Sequence, residues 1–303
     1  MQLLARRLGS LRGVLVLACV VAFAATPAAA ARIAAILSDE VPAYREALAG
    51  FQAEVGSEVE VTVALVGGDA VPSPDLVFAV GTGALREAAE RYSGVSCVFC
   101  MVVDESAVSQ TWQDGVPVAG VLMTASPASQ MEAIRRVLPD AGTVGVIHSD
   151  RFTAVVDRAA GAAHELGLEL IRRHVGGPED IDSALREIAR EADVLLSVPD
   201  PVVYSPGTAQ HILLSTFQAH VPVVAFSPNY VKAGALFCLY ADYGKMGAQA
   251  AGICKEVLSG ADASDIGMVG PSDVEFAVNL RVARGLGIEI PRKMHERAKV
   301  KFE

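Results

Sequence analysis

Apolar residues along this chain fall into two alternating patterns. Short apolar runs of strand length take turns with longer stretches whose apolar residues recur at helical spacing. Residues 32–37, RIAAIL, form such a run. Ser38 or Asp39 can then cap a helix entered near Val41-Pro42, since proline is tolerated in a first turn. Tyr44, Ala47, Leu48 and Phe51 follow at helical spacing. Further strands are predicted at 59–66, 76–80, 97–103 and 116–123, with a helix at 84–92 and a loop through Gly67-Gly68-Asp69 and Pro72-Ser73-Pro74. Residues 104–115 are polar and irregular and read as a crossing between two parts of the chain. The alternation then restarts. Helices are predicted at 127–138, 152–166, 181–191 and 207–219, and strands at 143–148, 168–174, 193–198, 221–226 and 236–240, with a small-residue helix after the last. Such alternation means α/β architecture, with parallel sheets covered by helices on both faces. Two runs with a loose join predict two lobes of like design, although no close sequence repeat relates them.

Composition adds a size and a compartment. The chain has 303 residues, enough for two cores, and a formal net charge of −10. An acidic balance argues against nucleic acid or an anionic membrane surface as a partner. Arg6, Arg7 and Arg12 precede or interrupt an apolar run over residues 11–25, and Ala28-Ala29-Ala30 offers a small-residue cleavage site. Residues 1–30 therefore read as a signal peptide cut after Ala30, which places the mature chain in the periplasm. Cleavage removes three arginines and no acidic residue, leaving the remainder more acidic still. A rival reading takes Cys19 as a lipid-modified anchor after a shorter apolar run. No later stretch is long and apolar enough to span a membrane.

Candidate chemistry is sparse. Cys97-Val98-Phe99-Cys100 has redox spacing but lies in a strand-like apolar run, where positions three apart face opposite ways. Two buried apolar side chains is the simpler reading; disulfides among Cys97, Cys100, Cys238 and Cys254 stay open. No His/Cys cluster has metal-ligand spacing, so neither metal nor cofactor is expected. There is no GxSxG elbow and no HExxH. His148-Ser149-Asp150 invites a triad, but adjacent residues at one strand end diverge. No catalytic residue is assigned.

Polar residues do collect after the predicted strands: Ser38, Asp39 and Glu40; Gly81-Thr82-Gly83; Ser149 and Asp150; Asp200, Tyr204 and Ser205; Ser227 and Asn229; Asp242. In open parallel sheets ligands bind beyond the carboxyl ends of the strands. Any one of these residues is an ordinary helix cap; their recurrence at one edge points to a ligand. The Gly81-Thr82-Gly83 turn can aim backbone N–H groups at a carboxylate, but it lacks the spacing of a dinucleotide or phosphate loop.

Several of these stretches together resemble the substrate-binding proteins of ABC transporters, the family whose better-known members bind tryptophan, tyrosine or phenylalanine. The resemblance is carried by ADVLLSVPDPVVYS, HVPVVAFSPNYVKAGALFCLYADYGKMGAQAA and FAVNLRVARGLGIEIP, and more loosely by AYREALAGF, VFAVGTGAL and VAGVLMTASPASQMEAIRRVLP. It implies a type I periplasmic-binding-protein architecture: two Rossmann-like lobes joined by three hinge crossings. Lobe 1 would comprise residues 31–121 plus 236–266, and lobe 2 residues 122–235 plus 267–303, with crossings at 121–124, 233–236 and 267–271. Matching positions imply ligand contacts at Thr82, Gly83, Asp200, Ser205, Ser227, Asn229, Tyr240 and Asp242. Thr82 and nearby amides would take a carboxylate, and Asp200 or Asp242 an ammonium. Tyr44, Tyr204, Phe226 or Tyr240 would stack on an aromatic or apolar side chain. The chain departs from the family at Asp104-Glu105-Ser106, where Asp-Pro-Val is usual, at His148-Ser149-Asp150, where Tyr-Asn-Pro-like residues are usual, and in having GTGA rather than GTPA. The implied function is a periplasmic solute-binding component of an ABC importer, monomeric, with a small-molecule ligand and an inner-membrane permease as partners. One alternative keeps the fold and replaces the permease by a membrane sensor protein. Another is a thiol–disulfide enzyme using Cys97 and Cys100.

Overall fold

The central strands of each sheet are apolar on both faces, and the architecture follows from that. In the computed structural model, which describes residues 30–303 apart from 104 and 114, the chain forms two sheets with helices on both faces. The expected signal peptide and the Cys19 anchor lie outside the described residues. The first run comprises β1 (Ala31–Leu37), α1 (Pro42–Val55), β2 (Val59–Leu65), β3 (Leu76–Val80), α2 (Thr82–Arg91), β4 (Cys97–Val102), α3 (Glu105–Gln113) and β5 (Val118–Leu122). The second comprises α4 (Pro127–Val137), β6 (Thr143–His148), α5 (Thr153–Glu165), β7 (Glu169–His174), α6 (Ile181–Glu191), β8 (Val194–Leu196), α7 (Ala209–Gln218), β9 (Val223–Ala225), α8 (Pro228–Ala233) and β10 (Phe237–Ala241). Then come α9 (Tyr243–Leu258), α10 (Ala263–Ile266), β11 (Met268–Val269), β12 (Val274–Asn279), α11 (Leu280–Gly285), α12 (Arg292–Arg297) and β13 (Val300–Phe302).

The first sheet has the order β11-β5-β4-β3-β1-β2, and all its pairs are parallel. The second has the order β13-β12-β10-β9-β8-β6-β7, parallel except where β12 runs against β10. Read from each run's own first strand, both sheets use the same doubly wound order, 2-1-3-4-5. The two-lobe design is therefore repeated in topology without a visible repeat in sequence. Alternation along β1 shows how each sheet is filled. Ile33, Ala35 and Leu37 pack with Phe51 of α1 and Met246 of α9 on one face, while Ala34 and Ile36 pack with Leu85 of α2 on the other.

Two sequence expectations change. Residues 104–115 are not an irregular crossing: most of them form α3. Its inward stripe is Ala107, Val108 and Thr111, too small and too polar to register as a helical apolar pattern. The strand expected to open a return to the first lobe at residue 236 belongs to the second sheet, where β10 pairs with β9 and β12. Gly234 ends the short helix α8 at φ 139° and Leu236 N–H donates to Val223 O, so residues 233–236 close a strand–helix–strand unit instead of crossing. The chain returns to the first sheet only after Ala241, through Asp242 into α9. The chain also passes from one sheet to the other between β5 and α4 and between β11 and β12.

Helix α9 holds that return by touching α1 backbone to backbone. A Cβ on Gly247 would lie 1.8 Å from the carbonyl oxygen of Ala47, and one on Gly50 would lie 1.9 Å from that of Gly244. Glycine is needed here for the approach itself, not for an unusual backbone angle. We expect Gly247→Ala to force the helices apart and to cost about 1–3 kcal/mol in urea unfolding. Gly252→Ala, on the same helix with nothing within 4 Å of its Cβ, should be neutral or slightly stabilising. Equal effects at the two positions would show that close approach is not what Gly247 provides.

Candidate ligand-binding cleft

A doubly wound sheet leaves a crevice where its strand order reverses. In the first sheet the reversal lies between β1 and β3, and in the second between β6 and β8. Each is bridged in the same way. Ser38, after β1, accepts the Ala84 N–H on its hydroxyl at 2.8 Å, across to the start of α2. Asp200, after β8, accepts the Ser149 N–H, after β6, at 2.7 Å.

On the first-sheet side the strand must turn sharply into a helix. Gly81 has φ 88°, and a Cβ there would sit 2.7 Å from Ser38 Oγ and 2.8 Å from Tyr44 Oη. Thr82 and Gly83 are the first two residues of α2 and are half-buried. Their N–H groups have no acceptor within the helix and sit at its positive end, an arrangement that favours an anion. Tyr44 closes this corner; burial, with Asp39 and Cys100 adding to it, raises its hydroxyl above the usual tyrosine range. Ser38 and Tyr44 thus join Thr82 and Gly83, the pair expected from sequence.

On the second-sheet side Asp200 is fully buried, and both its carboxylate oxygens are occupied. Oδ2 takes Ser149 N–H and Oδ1 takes Val202 N–H at 3.0 Å, while its carbonyl accepts from Val203 and Tyr204. In this conformation it shapes the loop after β8 and does not present a carboxylate to an ammonium. Beside it, two buried hydroxyls, Ser149 Oγ and Tyr204 Oη, have no hydrogen-bond partner. Leaving such a group unpaired costs roughly 1–3 kcal/mol, so these hydroxyls mark where a ligand or a water has polar partners to find. Burial, reinforced by Tyr230 and Asp200, pushes the Tyr204 hydroxyl far above its ordinary range, so it stays protonated and able to donate.

The other expected contacts do not converge with these. Ser205 Oγ pairs with Thr208 Oγ1 at 2.9 Å ahead of α7. Ser227 is the N-cap residue of α8, and exposed Asn229 lines a separate outer cavity with Leu213 and Tyr230. Tyr240 donates to Glu275 at 2.8 Å, and Asp242 caps α9 through Lys245 N–H at 2.9 Å. Tyr204 and Phe226, expected to stack on a ligand, pack against each other and against Tyr230.

A cavity of about 360 Å³ lies between the sheets, and none of the eight expected contacts lines it. Its apolar wall includes Leu122, Val155, Leu196, Val198 and Met268; Thr124, Ser126 and Gln130 add polar groups. A larger groove of about 630 Å³, including Leu138, His220 and Ile288, lies at the opposite, amino-terminal end of the second sheet's strands, where the doubly wound topology offers no crevice. Sequence reasoning missed Arg158, which lines the inter-sheet cavity beside Glu105, its ion-pair partner. Nothing in the sequence marks it, because the two residues lie on helices of different runs.

Among the described residues, Cys97, Cys100, Cys238 and Cys254 are free and buried. Cys97 and Cys100 sit in different core clusters on opposite faces of β4. Burial pushes the Cys97 thiol up to about 12 and Cys100 higher, so neither supplies a thiolate near neutral pH. For a chain beginning at Ala31, a thiol reagent at pH 8 should label none of the four rapidly in the native state and all four after denaturation. Asp200→Ala should strip two buried amides of their acceptor and lower stability by about 2–4 kcal/mol in urea unfolding. An unchanged midpoint would show that the carboxylate is not a structural anchor.

Comparison with known proteins agrees with this geometry. A family model described as ABC transporter substrate binding protein matches residues 69–301. A tyrosine-binding protein of Clostridioides difficile (strain R20291) is 22% identical over 221 residues, covering 71% of this chain and 64% of that relative, so the match spans less than two thirds of its length. Among solved structures, a ligand-free, open substrate binding protein with adhesive properties from Clostridium difficile aligns over 90% of this chain and 100% of its own, with TM-score 0.68 and 20% identity. An ABC domain from Streptococcus pneumonia in complex with L-Trp aligns over 90% and 99%, with TM-score 0.62 and 20% identity. A conserved domain protein from Vibrio cholerae gives the same coverage and TM-score at 22% identity. At these identities the structures establish the fold, that of the type I periplasmic binding proteins. The family match, covering most of the chain, establishes the rest: this protein belongs to the ABC transporter substrate-binding protein family.

Proposed function

We propose that the protein is the solute-binding component of an ABC importer, that it works in the periplasm, and that it holds an amino acid with an aromatic or branched side chain between its two lobes. In this reading lobe 1 carries the first sheet with α9 and α10, and lobe 2 carries the second sheet. They close about the crossings at residues 123–126, Asp242 and residues 270–273. The observation that carries the reading is the pair of matching crevices at the carboxyl ends of two sheets of the same strand order. Such sites act by binding and domain closure, and no covalent step is assigned to any residue. An inner-membrane permease is the implied partner.

The chemistry fits the two ends of an amino acid. Thr82, Gly83 and Ser38 suit a carboxylate. Ser149 and Tyr204 are buried hydroxyls without partners next to Asp200, after β6 and β8. The apolar wall of Leu122, Val155, Leu196 and Val198 lies in the space between the sheets. The relatives named for tyrosine and bound to L-Trp are consistent with this class. Among the contacts inferred from the family resemblance, Thr82 and Gly83 are retained. Asp200 is assigned to shaping the cleft, and Ser205, Ser227, Asn229, Tyr240 and Asp242 are not assigned to the ligand.

Melting curves with L-tyrosine, L-tryptophan, L-phenylalanine and L-leucine test the proposal, because a ligand that binds only the folded state raises the melting temperature. We expect at least one of the four to do so. Gly83→Ala places a methyl group 3.2 Å from Ser38 Oγ, over the amides assigned to the carboxylate. It should weaken that ligand about tenfold or more in calorimetry while the circular dichroism stays native. No shift with any of the four would overturn the ligand class, and unchanged affinity in Gly83→Ala would remove the α2 amides from the site.

A further inference from the structure

We propose that Glu105 and Arg158 form an electrostatic latch that holds the two lobes at a fixed angle. Glu105 opens α3, which packs on the first sheet. Arg158 lies on α5, which packs on the second. Nη2 of Arg158 lies 2.6 and 2.5 Å from the two carboxylate oxygens of Glu105, within charge-assisted hydrogen-bond range of both. Glu105 retains 15% of its side-chain exposure and Arg158 48%, so the carboxylate is largely withdrawn from water while the guanidinium keeps one side in it.

Position makes this pair a latch and not simply another surface contact. Arg32–Asp75 and Lys255–Glu54 join groups of the first sheet and its helices, Arg172–Asp157 and Arg173–Glu191 join groups of the second, and Lys245–Asp273 lies at a crossing. Glu105 and Arg158 line the inter-sheet cavity together with Thr124 and Ser126 of the first crossing and Gly270 of the third. The cavity is thus bounded by hinge residues and by the ion pair. Rotation about the crossings must change the separation of α3 from α5. With the pair made, the lobes enclose the cavity; widening the cleft requires it to break. The latch rests on the two-lobe reading above but not on what the cleft binds.

The test needs no ligand. Nitroxide labels at Gln52→Cys on α1 and Glu165→Cys on α5 report the interlobe distance by pulsed electron resonance. Both positions are exposed, and the four buried native thiols do not compete for label. In low salt the otherwise unmodified chain should give one dominant distance. Arg158→Gln and Glu105→Gln should each raise the same second population, by about two- to fivefold given the range measured for exposed ion pairs. The charge-swapped double variant, Glu105→Arg with Arg158→Glu, should restore the first population. Sodium chloride at about 1 M should reproduce the second population in the parent and add nothing in Arg158→Gln, because salt screens such a pair. Distance distributions unchanged in both single variants, or a shift that the charge swap does not reverse, would overturn the latch. Failure of the amino-acid panel would leave these distances untouched, so the two proposals fail separately.

Discussion

Everything about this molecule's two-sheet arrangement depends on one close contact, the approach of α9 to α1. By the end of β10 the chain has been committed to the second sheet for most of its length. Gly244, Gly247 and Gly50, with Ala47, let the returning helix lie against α1 with backbone touching backbone. The return buries Met246, Ala250 and Ala251 in the core over β3, β4 and β5. It also places the second crossing beside the third, where Gln249 donates to Gly270 O at 3.1 Å and accepts the Ser272 N–H at 2.8 Å. A helix of small residues therefore ties two of the crossings to the first-sheet core.

Given that frame, the two sheet reversals face the same chemical problem and solve it alike. Each joins the residue after one strand to the residue after a non-neighbouring strand by a hydrogen bond to a backbone amide. A serine hydroxyl does this in the first sheet and a buried carboxylate in the second. The difference matters for what remains available. A neutral cap leaves the positive end of α2 uncompensated. Asp200 is consumed by its loop, and the unpaired groups next to it are hydroxyls. One crevice is thus suited to an anion and the other to a neutral polar or donor-bearing group, with an apolar wall between the sheets.

Much of this was legible in the sequence, and the failures have physical causes. Strands buried on both faces read as apolar runs, which makes β1, β3, β4, β6, β8, β9 and β10 legible close to their positions. Helix α3 escaped because its buried stripe is Ala107, Val108 and Thr111. The second crossing was misplaced because a glycine that ends a short helix reads the same as a glycine at a hinge. The turn at Gly81-Thr82-Gly83 was legible because glycines after an apolar strand break it, and there Gly81 takes φ 88° into α2. Asp200 was legible as a strand-end carboxylate, but whether such a group faces a ligand or its own loop is decided by amides 51 and 2 residues away. Arg158 was invisible, since its partner lies 53 residues earlier.

Strand β2 has a consequence of another kind. It is the outermost strand of the first sheet, hydrogen-bonded to β1 alone, and Val63 and Leu65 remain 45% and 39% exposed. Its sequence, VEVTVAL, has high strand propensity, no proline and no lysine. Were two copies to meet edge to edge, antiparallel about Thr62, Glu60 would oppose Ala64 and no like charges would face each other. The acidity of the whole chain is therefore its main protection in concentrated solution, and that protection weakens as salt rises or as pH falls toward the isoelectric point. Thr62→Lys would put a charge in the middle of that edge.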